Sequence, residues 1–364
     1  MEFVAKNFVV SSTHAREKAG FGKTSRRCQY KTMTPGTSED RLIKLLRQRC
    51  PAEGPFLEMG IGDDAAVVRP RGAREFWLIT TDMLVERVDF HRDWTRPRQL
   101  GSKSISVNLS DLAAMGARPR FFTVSLAIPS DISQRWILEF HEGLAAKGNS
   151  LGTRLIGGDL SRSEKHIVIS ITAMGESLKR KVVYRSGGKP GDLLYVTGTL
   201  GRSAAGLKLL QSGKTAARSR IRREALQAHF EPEPRCGSGL WLAQSGLASC
   251  MMDLSDGISM DLPRLCSASG TGAEIRLCSL PVFPESSGWG CDPVELALHG
   301  GEDYELLFAV PAAKIRRLEK TYPSILPRIT QFGCLTEDAG KVWIADSNRR
   351  RSRLPRLGFD HFRR

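Results

Sequence analysis

The feature that most restricts the fold is an alternation of short apolar runs with amphipathic stretches, which breaks once at a Gly/Pro-rich connection and then resumes. Strand-like runs at 77–81, 121–128 and 166–173 alternate with helical stretches, one of them near 97–115 and closed by Gly116 and Pro119. Short runs of this kind between helical periods read as strands of a mixed sheet. The segment KRKVVYRSGGKPGD at 179–192 interrupts the pattern, which restarts at 193–196. A chain of 364 residues is long for one core, so two domains are expected. The fold class is α/β (α+β), with mixed sheets covered by helices in an N-terminal domain over 34–183 and a C-terminal domain over 184–364.

Residues 1–33 mix Ser, Thr, Lys and Arg without an apolar period and are expected to be a disordered basic leader or a start-site artefact. Helical patterning begins at Ser38, which reads as the N-cap of an amphipathic helix. The stretch 283–293 (FPESSGWGCDP) reads as a surface excursion within the second domain. The run 193–210 reads as strand, glycine turn and helix. Its turn serves either tight packing or a phosphate contact at the helix start.

Net charge is +15, concentrated at the ends. Residues 1–33 carry seven basic side chains against two acidic ones, and 341–364 carry eight against two. Basic arms on a nearly balanced body read as solubilising tails, and nucleic acid is not the expected partner. Apolar runs such as 121–129 fall short of the roughly 20 residues that cross a bilayer as a helix. The eight cysteines show no CxxC spacing, and no apolar signal segment precedes them, so free thiols in a reducing cytoplasm are expected. The seven histidines form no HExxH motif or Cys/His cluster. GFGKT at 20–24 is not a P-loop, because the earlier glycine would fall at Glu17 and no strand precedes it.

The acidic residues carry the chemistry. Asp63 and Asp64 lie in GIGDDAAVV, Asp82 follows TT, Asp111 sits in an otherwise apolar helix, and Asp159 lies in GGDLS. Asp253 and Asp256 lie in DLSDG, and Glu302 and Asp303 in GGEDYE. Each taken alone reads as a helix cap or Asx-turn, and Asp256 is a good cap candidate. Together they place carboxylates at strand ends beside Gly, Ser and Thr, where convergence would be repulsive without cations. Oxygen ligands without His or Cys point to Mg²⁺, and Mg²⁺ points to a polyphosphate substrate. Asn108 and Asp111 share one helix face beside an apolar stripe of Ile105, Leu109 and Leu112, a polar line that suggests a ligand. The pattern NLSD at 108–111 and DLSD at 253–256 suggests that both halves use an acid-rich turn.

With these residues in view, the sequence resembles the thiamine-monophosphate kinase family, within the aminoimidazole-ribonucleotide-synthetase-like ATP-binding superfamily. The resemblance runs from about Glu39 to Phe362 through GIGDDAAVV, TTDMLVE, SVNLSDLAAMGARP, IGGDLSRS, YRSGGKPGDLLYVTGTLG, DLSDG, GGEDYEL and LGFDHF. It implies that ATP, as co-substrate, phosphorylates thiamine monophosphate to the diphosphate by direct in-line transfer, with several Mg²⁺ ions and no phosphoenzyme. By the same resemblance Asp64, Thr80, Thr81, Asp82, Asp111, Asp159, Asp253 and Asp256 would hold metal. Asp111 and Asp253 would be the central catalytic acids, and Gly158, Asp159, Arg185 and Ser255 would lie at the nucleotide. Glu302 and Phe359 would contact the thiamine end. A homodimer is implied, with N-terminal sheets closing into a barrel across it.

Two positions depart from the family pattern. Where the family commonly reads Gly-Val-His-Phe after the TTD strand, this chain has Arg87, Val88, Asp89 and Phe90, with His91 next. Leu160 stands where Thr usually follows GGD. If 82–91 continues as a strand, Asp89 and His91 share a face. Asp89 is then expected to face the cationic thiamine, with His91 compensating only in part for the family histidine. Two other readings compete. A selenophosphate synthetase would place a reactive Cys in a Gly-rich N-terminal segment, whereas Cys28 lies in unpatterned sequence. An RNA-binding protein would use the basic arms, which carry no stacking motif.

Overall fold

The computed structural model describes residues 38–50, 54–213, 219–348 and 350–362. The basic leader, GFGKT and Cys28 lie outside the described residues. The first element is helix α1 (Glu39–Arg49), capped by the Ser38 hydroxyl, which accepts from the Arg41 N–H at 3.4 Å. Glu39 and Asp40 in its first turn and Arg47 and Arg49 in its last suit the helix dipole. None of its residues is buried.

Six strands form the N-terminal sheet: β1 (Leu57–Met59), β2 (Ala66–Val68), β3 (Glu75–Val85), β4 (Arg118–Ile128), β5 (Arg154–Arg162) and β6 (Val168–Leu178). Their order is β1-β2-β3-β6-β4-β5, antiparallel throughout except for β4 with β5. Within one chain the sheet is open, with β1 and β5 at its edges. Helices α2 (Pro97–Ala114) and α3 (Gln134–Ser150) cover one face, where Leu100, Ile105, Leu109, Phe140 and Leu144 pack on Val124, Ile169 and Ile171. The two helices meet at glycines. A Cβ on Gly101 would lie 2.0 Å from the Phe140 carbonyl oxygen, and one on Gly143 would lie 1.9 Å from that of Arg98.

The second sheet is built from β7 (Leu193–Thr197), β8 (Cys250–Asp253), β9 (Gly272–Arg276), β10 (Leu306–Val310), β11 (Ile329–Thr336), β12 (Val342–Ala345) and β13 (Arg351–Arg353). Its order is β13-β12-β9-β11-β7-β10-β8. Every residue of β8 and β10 is buried, as expected of strands covered on both faces. The covering helices are α4 (Arg202–Gln211), α5 (Arg220–Phe230), α6 (Cys236–Ser245), α7 (Ile258–Ser269), α8 (Pro293–His299) and α9 (Ile315–Thr321).

Helix α2 joins the two halves. Its Leu109 and Leu112 belong to the N-terminal core, while Ala113 and Ala114 pack with Leu242, Met251 and Phe308 of the C-terminal one. A helix buried on nearly all sides loses its amphipathic signature, so its polar side chains are held inside the molecule.

Two local expectations are corrected. The 283–293 stretch is not simply a surface excursion: a 3-10 helix at Pro284–Trp289 tucks Phe283 and Ser286 inside, and Trp289 packs on the same satellite core. The paired NLSD and DLSD patterns are not two turns either, since the first lies inside α2 and only the second leaves a strand end. Among the described residues seven cysteines are free, and no helix is long and apolar enough to cross a membrane.

Candidate functional site

A cleft of about 1870 Å³ lies between the two halves, walled by β3, α2, the end of β8 and the C-terminal segment. On α2 the cleft-facing row is Lys103, Val107 and Asp111, spaced four apart as one helix face requires. Asp253 ends β8, and Asp64 lies in the turn between β1 and β2. Carboxylate oxygens of Asp64, Asp111 and Asp253 lie within 4.8 Å of one another. The Thr80 hydroxyl donates to Asp111 at 2.5 Å and the Ser110 hydroxyl to Asp253 at 2.7 Å. Arg185, on the connection between the sheets, donates to Asp64 Oδ1 through Nε at 3.1 Å and Nη2 at 2.5 Å.

Burial pushes Asp111 and Asp253 well above the usual carboxylate range. The charges of Asp82, Asp253 and Asp64 add to this at Asp111, and that of Asp64 at Asp253. Asp82 is raised to about 6 by burial and, beyond it, by Asp64 and Asp89. Asp63 is raised to about 7 by burial and Asp64. Two anions 4.8 Å apart repel by roughly 3 kcal/mol at an effective dielectric near 20. Asp64 Oδ2 and Asp82 Oδ2 are moreover buried without a hydrogen-bond partner among the described residues. Buried oxygens without donors, in a cluster free of His and Cys, fit a hard cation such as Mg²⁺.

The remaining acids differ in placement. Asp256 lines the cleft but does not cap α7, whose N-cap Gly257 makes no side-chain bond. Its carboxylate instead accepts from Arg264 at 2.5 Å, and Arg264 also binds Asp261 at 2.8 Å and Asp40 of α1 at 2.9 Å. Thr81 projects from the face of β3 opposite Thr80, and its hydroxyl donates to the Ile171 carbonyl at 3.0 Å. Gly158 and Asp159 are exposed on edge strand β5, paired with Val124 and Ser125, and do not line the cleft.

Asp89, His91, Glu302 and Phe359 also line the cleft. The expected strand over 82–91 ends at Val85. There the chain folds back through Arg87 at φ 70°, and the Asp89 carboxylate accepts from the Val85 N–H at 2.7 Å. The side chain of Asp89 closes its own turn, so period-two facing with His91 does not apply. His91 stacks on Trp94 with centroids 4.6 Å apart.

GGEDYE divides its acids among three tasks. Glu302 N–H donates to the Ser255 carbonyl at 2.7 Å and Tyr304 N–H to Leu254 at 2.9 Å, which ties the motif to the end of β8. Glu302 and Tyr304 hold left-handed φ values of 64° and 50°. A Cβ on Gly301 would lie 2.6 Å from the Ser255 carbonyl oxygen, so the close approach needs glycine there. Asp303 accepts from the Gly201 and Ser203 N–H groups at 2.6 and 3.3 Å, so the start of α4 is closed by this carboxylate, and its glycine turn serves packing. Glu305 is buried against Thr197 and Arg235. Glu302 alone faces the cleft.

Sequence reasoning missed Lys103, His229, Arg264 and Tyr304. Lys103 was traceable, because it stands on the same row as Asp111, two turns earlier. Tyr304 lies inside GGEDYE but was not singled out, and His229 and Arg264 carry no motif of their own.

Comparison with known proteins agrees with this geometry. Models of the AIR synthase related protein match over 62–177 for the N-terminal domain and 189–322 for the C-terminal domain. The thiamine-monophosphate kinase of Escherichia coli strain K12 is 38% identical over 314 residues, covering 84% of this chain and 92% of that protein. The chain belongs to the thiamine-monophosphate kinase family. The thiamine-monophosphate kinase of Bacillus subtilis strain 168 is 33% identical over 309 residues, with 84% and 94% covered. A solved structure, AaThiL complexed with AMPPCP and TMP, superposes with a TM-score of 0.79 at 32% identity, covering 91% of this chain and 99% of that one. Family membership thus extends across both sheets and the cleft between them.

Proposed function

We propose that this chain transfers the terminal phosphoryl group of ATP to thiamine monophosphate, giving thiamine diphosphate by direct in-line displacement. The observation that carries the reading is the convergence of Asp64, Asp111 and Asp253, from three separated segments, in one cleft that Asp89, Glu302 and Phe359 also line. A solved likeness, AaThiL, was complexed with AMPPCP and TMP.

In this reading Asp64, Asp82, Asp111, Asp253 and Asp256, with Thr80, the main chain of Thr81 and Asp159 of a second copy, would hold several Mg²⁺ ions. When bound they neutralise polyphosphate charge and orient its oxygens. The acceptor is a phosphate oxygen, already largely ionised near neutral pH, so the chain need supply no strong base. Asp111, held by Thr80, and Asp253, held by Ser110, are fixed before substrate arrives, which limits reorganisation during transfer. Arg185 and Ser255 lie where a nucleotide would approach the cluster, and Arg185 exchanges its Asp64 contact for phosphate oxygens.

The reading includes a homodimer in which the open N-terminal sheets close into a barrel. The exposed edge of β5 supports it: Ile156 and Leu160 are 55% and 60% exposed there. Gly158 and Asp159 lie on this edge, so their roles at the nucleotide depend on the second copy. ATP consumption by purified protein with and without thiamine monophosphate tests the function. Mg²⁺-dependent turnover only with the acceptor is expected, and equal turnover with free thiamine would refute it.

A further inference from the structure

In the cleft wall, three groups from separate elements form one buried arrangement. Lys103 Nζ of α2 lies 2.6 Å from Glu302 Oε1, and His229 Nδ1 of α5 lies 3.1 Å from Glu302 Oε2. The Ser203 hydroxyl approaches the same His229 nitrogen at 3.2 Å. Lys103 is 2% exposed, an unusual setting for an ammonium group, which stays inside only when paired. Each Glu302 oxygen thus has one partner, and its backbone is pinned by Ser255. Two lone-pair positions of the carboxylate remain for a ligand.

We infer that Lys103 is a positioning residue for the acceptor: with His229 it fixes Glu302 as a charge-compensated hydrogen-bond acceptor aimed at the organic end of the substrate. This rests on the function proposed above. Burial and the charge on Lys103 hold His229 below its usual range, so the imidazole is neutral and donates to the carboxylate. Lys103 and Glu302 then sum to zero charge. A compensated carboxylate reads a neutral N–H donor, such as an amino group on an aromatic ring, more than it reads a cation. Asp89 forms no ion pair among the described residues, and is the anion left to face a positive ring.

Helix α2 also sets a length. Lys103 and Asp111 are eight residues apart, about 12 Å along the axis at 1.5 Å per residue. The row selects a long acceptor whose phosphate lies at Asp111 while an amino-bearing ring lies at Lys103 and Glu302. A short phosphomonoester would leave the Glu302 end unfilled.

The test is steady-state kinetics with thiamine monophosphate and ATP varied separately, and with an acceptor analogue carrying methyl in place of the ring amino group. Lys103→Met should raise KM for thiamine monophosphate about tenfold or more and change KM for ATP less than about twofold. Its preference for the amino over the methyl acceptor should shrink. Lys103→Arg should restore part of the loss, and Lys103→Met/Glu302→Gln should be no worse than Lys103→Met, because the unpaired anion is gone. Equal rises in both KM values, unchanged discrimination, or losses that multiply in the double variant would overturn the inference. If Lys103→Met does not fold, Lys103→Arg decides by the same two readouts. Wild-type protein inactive on thiamine monophosphate would instead remove the function on which the inference rests.

Discussion

The Ser110 hydroxyl donates to Asp253 across the two halves at 2.7 Å, so the residue beside Asp111 is the one that fixes its partner acid. One turn of α2 therefore sets both central carboxylates. Ser110→Ala should lower kcat about tenfold with little change in either KM, since it removes orientation and no contact with substrate. Kinetics with both substrates measure this. A selective rise in one KM would place Ser110 at a substrate instead.

Asp111→Asn and Asp253→Asn should each cost at least ~100-fold in turnover, as each removes a charge where polyphosphate charge is neutralised. Without Mg²⁺ both variants should melt no lower than the parent, because the substitution relieves repulsion among buried acids. Rates and melting curves with and without Mg²⁺ check both statements. Near-normal turnover at saturating Mg²⁺ would make the residue a structural acid only.

The Gly-, Ser- and Thr-flanked acids marked the cluster in the sequence, because carboxylates at strand ends have few structural uses together. The mixed α/β layout with two sheets was legible from the alternation of runs. Less legible was everything that depends on partners distant in sequence. Lys103 lies among Gly, Ser and Ser and looks like a surface residue until Glu302, 199 positions later, meets it inside the cleft. The turn at 85–90 was hidden because Val85, Val88 and Phe90 continue a strand-like composition. Asp89 and the left-handed Arg87 break the strand.

Proton binding sets the pH response. Burial raises Asp82 to about 6 and Asp63 to about 7, against an ordinary 3.8 for each. The folded state thus holds more protons than the unfolded one between about pH 4 and 7. Stability without metal should fall as pH rises through that window. Mg²⁺ must displace these protons, so the rise in melting temperature on adding Mg²⁺ should be larger at pH 8 than at pH 6. A shift independent of pH would mean that cations bind elsewhere.

Helix α1 buries no residue, and Asp40 ties it to the body through Arg264 at 2.9 Å and Arg356 at 3.1 Å. Partly exposed ion pairs contribute about 0–1 kcal/mol each, enough to hold a helix locally but not to support the fold. Asp40→Asn should speed hydrogen exchange over 39–49 while moving the melting temperature by less than about 2 °C. Unchanged exchange would show that contacts other than these ion pairs hold α1.

The most direct test of the central claim is phosphorus NMR of the wild-type reaction with ATP and thiamine monophosphate, with and without Mg²⁺. Thiamine diphosphate and ADP should appear in equal amounts, only with Mg²⁺, and free thiamine should not substitute. ADP appearing with inorganic phosphate and no thiamine diphosphate would contradict the assignment.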